Sequence, residues 1–165
     1  MSDDILYSPW RIQYILQNKS RHCIFCLPPE DKESKHLVLF RSKFSFVIMN
    51  TYPYNNGHLL AVPNRHVASL NDLEIGEIND LFQTVQICEK ILKQVYHPDG
   101  LNIGINLGKA AGAGVEGHLH VHIVPRWLGD VNFMTVSGGA RVIPESFESA
   151  FSKLKEQFDN EKAEK

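Results

Sequence analysis

The segment Gly117-His118-Leu119-His120-Val121-His122-Ile123-Val124-Pro125-Arg126 alternates imidazole and aliphatic side chains. In an extended chain successive side chains point to opposite faces, so His118, His120 and His122 share one face while Leu119, Val121 and Ile123 share the other. The segment therefore reads as a strand with one face for a hydrophobic core and one face for chemistry, because each ring can donate, accept, bind a metal or titrate near neutral pH. An exposed histidine-rich strand and an adventitious metal site are the plainer alternatives, and the neighbouring sequence agrees better with an active site.

Upstream, His36 to Phe40 reads as a strand that turns at Arg41-Ser42-Lys43 into a second strand, Phe44 to Met49. After Asn50 the stretch Thr51-Tyr52-Pro53-Tyr54-Asn55-Asn56-Gly57 is rich in turn residues, and its Asn-Gly step favours positive φ before a third strand, His58 to Pro63. These three are expected to form a meander. From Asn71 the apolar period changes to three and four through Ile78, Leu81, Phe82, Val85, Cys88, Leu92 and Val95, which predicts a long helix with Asn71 as N-cap and Glu74 three residues on. A fourth alternating strand, Leu101 to Leu107, turns Asn102, Gly104 and Asn106 to one face. Two strands with aliphatic combs on one side and polar groups on the other suit an antiparallel sheet with a helix over its apolar side and a ligand over its polar side. The glycine-rich joint Gly108 to Gly117 is either a plain loop or one that brings backbone N–H groups close to a phosphate.

With 165 residues the chain has room for one well-packed core, given a usual domain size of roughly 100 to 200 residues. Its formal charge of -2 and its scattered Lys and Arg mark neither a nucleic-acid nor a membrane partner. The start of the chain is acidic and leads into no apolar run of signal-peptide character, and no segment approaches the ~20 apolar residues of a membrane span, so a soluble, cytoplasmic protein is expected. Three cysteines, two of them in Cys23-Ile24-Phe25-Cys26, are too few for a disulfide framework. Cys88 belongs to the helical pattern and reads as core. The charged tail from Asp159 to Lys165 is expected to fray.

A neutral imidazole attacks phosphorus well when one ring nitrogen keeps its proton on a fixed acceptor and the other carries the lone pair. His120 is best placed for this, with a histidine on each side to orient and support it. His122 could donate to a non-bridging phosphate oxygen, and N–H groups of the glycine loop could stabilise developing charge. Three histidines can also hold a catalytic zinc, although neighbours on one strand fit that geometry poorly. Cys23 and Cys26, at C-x₂-C spacing, form half of a tetrahedral structural metal site that His66, His118 or His22 could complete; a redox dithiol and two plain reduced cysteines are the alternatives.

These residues together resemble the histidine triad superfamily of nucleotide hydrolases and transferases, whose signature of three alternating histidines followed by two apolar residues matches His118-Leu119-His120-Val121-His122-Ile123-Val124. Asn50, Gly57-His58-Leu59-Leu60-Ala61-Val62-Pro63, Asn106-Leu107-Gly108 and Pro125-Arg126 also look like the family's pattern. The flanks Tyr7-Ser8-Pro9-Trp10-Arg11 and Pro125 to Phe133 look more like the branch containing bacterial diadenosine tetraphosphate phosphorylases. The resemblance implies an α+β fold of the histidine triad (HIT) type: a five-stranded antiparallel sheet, a long helix and a C-terminal helix, continued across a homodimer. It implies a histidine triad domain over residues 23–130, with 1–22 as an N-terminal extension and 131–165 as a C-terminal one.

For the chemistry, the resemblance implies that His120 is the nucleophile that takes a nucleoside monophosphoryl group, that His122 contacts the α-phosphate, and that His58 and His118 support them. Asn106 with Gly112, Ala113, Gly114 and Val115 would line the phosphate path, and Asn50 the ribose. Zinc-containing members are similar at Cys23, Cys26, His66 and His118, where zinc would lock His118 and through it the catalytic strand. One departure stands out: many hydrolase members carry Gln followed by Ser or Thr before the triad, and the phosphorylases Gly-Ser, whereas this chain has Ala113-Gly114, so a side chain able to assist the leaving group or hold an attacking phosphate is missing. The first expectation is cleavage of a dinucleoside polyphosphate at its α-phosphate through a histidyl-nucleotide. A phosphoramidase or nucleotidyltransferase using the same histidine, and a non-catalytic, zinc-stabilised nucleotide-binding protein, are the alternatives.

Overall fold

The computed structural model of the chain describes residues 23–26, 37–130 and 143–163. Readings that fall on Tyr7 to Arg11, His22, His36, Val131 to Phe133 and the final pair Glu164-Lys165 lie outside the described residues. Five strands form one antiparallel sheet: β1 (Val38–Arg41), β2 (Ser45–Met49), β3 (Leu59–Pro63), β4 (Gly100–Ile105) and β5 (Val121–Arg126). The first three are the expected meander. The long helix α1 (Ile75–Tyr96) then carries the chain past the position of β5, so the spatial order is β1-β2-β3-β5-β4 and β4 is an edge. The C-terminal helix is α2 (Phe147–Ala163). Among the described residues no helix is long and apolar enough to cross a membrane.

The alternation in each strand sorts the sheet into two faces. Leu39, Val47, Met49, Leu59, Ala61, Val121 and Ile123 pack under α1 and α2 against Leu81, Val85, Cys88, Leu92, Leu154 and Phe158. Leu154 and Phe158 are fully buried, each contributing about 1.5–3 kcal/mol of burial, so α2 is part of the core. The opposite face is not bare under β1 to β3: Val38, Phe46, Ile48, Leu60 and Val62 form a second apolar cluster that Phe25 closes. A register shift between Val38 and Phe40 lets both Leu39 and Phe40 face the helices, with Phe40 at 5.8 Å from the Phe158 ring.

Several boundaries differ from the sequence reading, each for a local reason. Asn71 is not the N-cap of the long helix. It sits in a 3-10 turn (Leu70–Asp72) capped by Ser69, and Leu73 then returns to extended backbone. Glu74 is the N-cap, in a capping box with Glu77. Arg65 clamps the Glu77 carboxylate through Nε at 2.9 Å and a terminal nitrogen at 2.6 Å, which ties the start of α1 to the loop after β3. The buried stripe of α1 includes Ile87 and Ile91, while Phe82 is half exposed. The segment from Asp159, expected to fray, continues α2 through Ala163 and is braced by Lys90 on Glu161 at 2.5 Å.

Candidate active site and metal centre

The histidine segment enters the sheet later than its alternation implied. Ladder pairing starts at Val121, and His118, Leu119 and His120 lead into it as non-ladder backbone anchored by the Leu119 N–H on the Val67 carbonyl at 2.6 Å. The face assignment holds all the same: Leu119 joins the core under the helices, while Phe25 from the other face packs its ring edge-on to His118 and tilted against His120. In β5, His122 stands opposite Leu60 of β3 and Gly104 of β4.

His120 is 5% exposed, and its Nδ1 lies 2.8 Å from the carbonyl oxygen of His118. A carbonyl only accepts, so Nδ1 carries the proton and donates it, and the lone pair of the neutral ring is on Nε2. The sequence reading had the two flanking rings orient His120. The structure assigns orientation to the His118 main chain instead, and only the His122 ring lies edge-on to it, at 4.9 Å.

The His122 side is a relay of fixed protons. The Tyr54 backbone N–H donates to Nδ1 of His58 at 3.0 Å, and the Asn50 amide to the same atom at 3.2 Å. His58 is fully buried, and burial followed by repulsion from His122 and His120 pushes its pKa down to about 3, so the ring is neutral with its proton on Nε2. That proton is donated to Nδ1 of His122 at 2.9 Å. His122 is likewise neutral, since burial and then His120 lower it to about 4. Its own proton must therefore be on Nε2, and this buried atom has no hydrogen-bond partner among the described residues. An unmet buried donor costs about 1–3 kcal/mol, and an acceptor ligand would satisfy it.

Loop 50–57 positions this relay. Gly57 has φ +72, and a Cβ there would stand 2.8 Å from the Tyr96 ring, so glycine is required both by conformation and by space. Asn55 donates to the Pro125 carbonyl at 3.1 Å and to Asp130 at 2.8 Å, and Asn56 to Glu145 at 3.0 Å, which fastens the loop to β5 and to the start of α2. The Asn50 carbonyl oxygen accepts from the Tyr52 N–H at 2.9 Å, so both ends of that amide hold the loop and His58. Sequence reasoning missed Tyr54 and the Pro63 carbonyl because both act here through main-chain atoms.

At the other end of the histidine segment, Nε2 of the fully buried His118 lies 2.9 Å from the Pro63 carbonyl and must donate to it. Its Nδ1 lone pair therefore faces the Cys23 thiol at 3.4 Å and the Cys26 thiol at 3.8 Å, while Nδ1 of His66 lies 3.3 Å from Cys26. One ligand atom from each of Cys23, Cys26, His66 and His118 falls within 4.8 Å of every other. With Zn–S near 2.3 Å and Zn–N near 2.0–2.1 Å, the edges of a tetrahedral zinc site are about 3.3–3.8 Å, so this set fits the metal after closing by about 1 Å at its widest separation. Burial and the Cys23 charge raise the Cys26 pKa, the mutual repulsion of thiolates that a bound cation relieves.

The glycine loop bends into a 3-10 turn (Lys109–Ala111), with Gly108 at φ +80 and Gly112 at φ +87. The N–H groups of Gly112 and Ala113 bond back to Lys109 at 3.0 Å and Gly108 at 3.3 Å, inside the loop. Gly114 is exposed, Val115 packs on the Phe25 cluster, and the Asn106 amide lies 3.9 Å from where a Gly112 side chain would begin.

Residues 31–127 match the HIT domain family. The chain is 40% identical over 149 residues to AP-4-A phosphorylase of Mycobacterium tuberculosis, covering 85% of this chain and 76% of that protein. It is 40% identical over 91 residues to bis(5'-adenosyl)-triphosphatase of Saccharomyces cerevisiae, covering 54% of this chain and 44% of that one. Its fold resembles the crystal structure of a Zn-bound histidine triad family protein from Mycobacterium smegmatis, with TM-score 0.63, 27% identity, and 78% and 88% of the two chains covered. With its three alternating histidines held on one sheet face and a family match over more than half its length, this chain belongs to the HIT domain family.

Proposed function

We propose that this protein is an enzyme that cleaves dinucleoside polyphosphates, such as diadenosine tetraphosphate, at the α-phosphate through a covalent nucleotidyl-His120. The observation that carries this reading is the 2.8 Å bond from His120 Nδ1 to the His118 carbonyl, which leaves the Nε2 lone pair as the nucleophile. The reading is supported by 40% identity to a relative named AP-4-A phosphorylase across most of both chains.

In the first step the Nε2 lone pair attacks the α-phosphorus, the bond to the bridging oxygen breaks, and the leaving nucleotide departs with that oxygen and its electron pair. The N–H of His122 Nε2 donates to a non-bridging oxygen and gains there the acceptor it lacks. Water or phosphate then attacks the same phosphorus, the P–N bond breaks, and AMP or ADP leaves with His120 regaining its lone pair. His58 and His118 act as positioning residues. Asn106, Gly112, Ala113, Gly114 and Val115 would line the phosphate path, and Asn50 would serve the ribose end through the loop it holds.

Cys23, Cys26, His66 and His118 would hold a zinc ion, which when bound cross-links the Cys23–Cys26 turn to the loop after β3 and to the histidine segment. Three free thiols suit a reducing cytoplasm. The edge strand β4, with Ile103 44% exposed and Leu107 beyond it 47% exposed, is the face on which we place a homodimer. Residues 23–130 are read as the catalytic domain, with 1–22 and 131–165 as extensions, the second of which docks through α2.

The test is to incubate the protein with diadenosine tetraphosphate, with and without inorganic phosphate, and to identify the products. ADP plus ATP only when phosphate is present means phosphorolysis, and AMP plus ATP means hydrolysis. No cleavage under either condition contradicts the reading.

A further inference from the structure

Beyond His122 the polar face of the sheet opens into a cavity of about 450 Å³ lined by Pro53, Tyr54, Asn102, Val124 and Arg126. None of these side chains has a part in the bond-breaking steps above. Val124 and Arg126 follow His122 at steps of two along β5 and so share its face, and Asn102 is paired with Val124 across β4. Gly104, opposite His122, places no side chain there, and a Cβ built on it would meet nothing within 4 Å. The way from the histidines to the cavity is therefore open on that side.

We propose that this cavity binds the second nucleoside of the substrate, the one on the leaving side of the scissile phosphate. The proposal rests on the reading of the chain as a dinucleoside polyphosphate enzyme. The volume lies in the usual range for a small-molecule site. The lining is that of a heterocycle site: a 47% exposed tyrosine ring, a proline, an aliphatic floor at Val124 and an amide at the rim. The Tyr54 ring is itself stacked on His122 at 5.6 Å between centroids and tilted over His58 at 4.8 Å, so it joins the cavity to the relay.

The charge pattern favours a base over a phosphate. Both Asp130 oxygens hold the Arg126 guanidinium, at 2.6 and 2.8 Å, and the Asn102 carbonyl oxygen accepts from it at 2.9 Å. The cation is thus neutralised where it stands, while the Asn102 NH₂ remains to donate to an acceptor on a base. Reach distinguishes the two nucleosides. Along an extended chain Val124 is about 13 Å and Arg126 about 20 Å from the position of His120. The Tyr54 wall lies beside His122, but the far end of the cavity at Arg126 is beyond what a ribose and a single phosphate span from the phosphorus that His120 attacks, and within the span of a bridge of several phosphates.

The experiment compares two substrates that give the same nucleotidyl-His120: diadenosine tetraphosphate and the p-nitrophenyl ester of AMP, whose leaving group has no nucleoside. Asn102→Ala is expected to raise KM for the tetraphosphate by up to about tenfold, the worth of one hydrogen bond to the base. The ratio of kcat/KM for the tetraphosphate to that for the ester should fall by the same factor. Equal losses on both substrates, or an unchanged ratio in a protein whose His120 is still labelled by the ester, overturn this proposal alone. A wild-type protein that never labels His120 from the ester overturns the functional reading, and this proposal with it.

Discussion

His118 and His122 flank the same nucleophile on the same face, yet the backbone gives them opposite protonation patterns. At His118 the Pro63 carbonyl takes the Nε2 proton and turns a lone pair toward two thiols. At His122 the Tyr54 N–H, acting through His58, forces the proton onto Nε2 and leaves a donor facing no partner among the described residues. One end presents a lone pair that suits a cation, the other a donor that suits an anion, and neither ring needs a carboxylate to fix its tautomer. A single residue type can thus serve two electrostatic roles when main-chain groups decide which nitrogen carries the proton.

The strongest break of this comparison removes the residue between its two halves. His120→Asn should lower turnover on the order of 10⁴-fold or more while nucleotide binding, followed by equilibrium titration, persists. A variant that keeps wild-type turnover contradicts the scheme. His122→Ala deletes the donor that meets the phosphate and should cost about 10²–10³ in kcat, with little change in zinc content. Its mirror on the other side, Cys23→Ser, should abolish stoichiometric zinc, measured by atomic emission, and lower turnover only about 10- to 100-fold, through the His118 carbonyl that orients His120. Equal zinc in Cys23→Ser and wild type, or no zinc in wild type, refutes the four-ligand centre.

The smallest effect is on pH dependence. His58 and His122 sit at about 3 and about 4 when folded, against an ordinary value of about 6.5 when unfolded. Between these values the unfolded chain binds more protons than the folded one, so stability falls as pH drops below about 6.5 and the loss levels off near pH 4 to 3. His58→Gln should reduce the slope of unfolding free energy against pH in that window by up to one proton. An unchanged slope, measured by urea denaturation, contradicts a neutral buried relay.

Much of this arrangement was legible in the sequence because it rests on side-chain spacing. Alternation put the three histidines on one face, turn residues marked the meander, and the C-x₂-C pair supplied two candidate metal ligands, while the choice of His66 and His118 to complete them came from the family resemblance. What was not legible rests on backbone atoms or on competition between neighbours. The Pro63 carbonyl and the Tyr54 N–H decide the tautomers, and neither atom has a side-chain signature. Asn71 is a good capping residue, but Ser69 captures it in a 3-10 turn and Glu74 with Glu77 takes the cap. Phe82 fits the helical period as well as Ile91 does, and only the position of the sheet decides that Ile91 is buried and Phe82 is not. The charges after Asp159 suggested fraying, but Phe158 is fully buried and Glu161 is paired to α1, so the helix holds.

The central claim, that His120 Nε2 makes a transient bond to the α-phosphorus, is tested most directly by quenching a reaction with radiolabelled or slowly released nucleotide substrate and mapping the adduct by mass spectrometry under conditions that preserve phosphoramidates. The account predicts one nucleoside monophosphate on His120, formed and discharged at rates matching turnover, and absent from His120→Asn. An active preparation that carries the adduct on another residue, or turns over without any adduct, contradicts it.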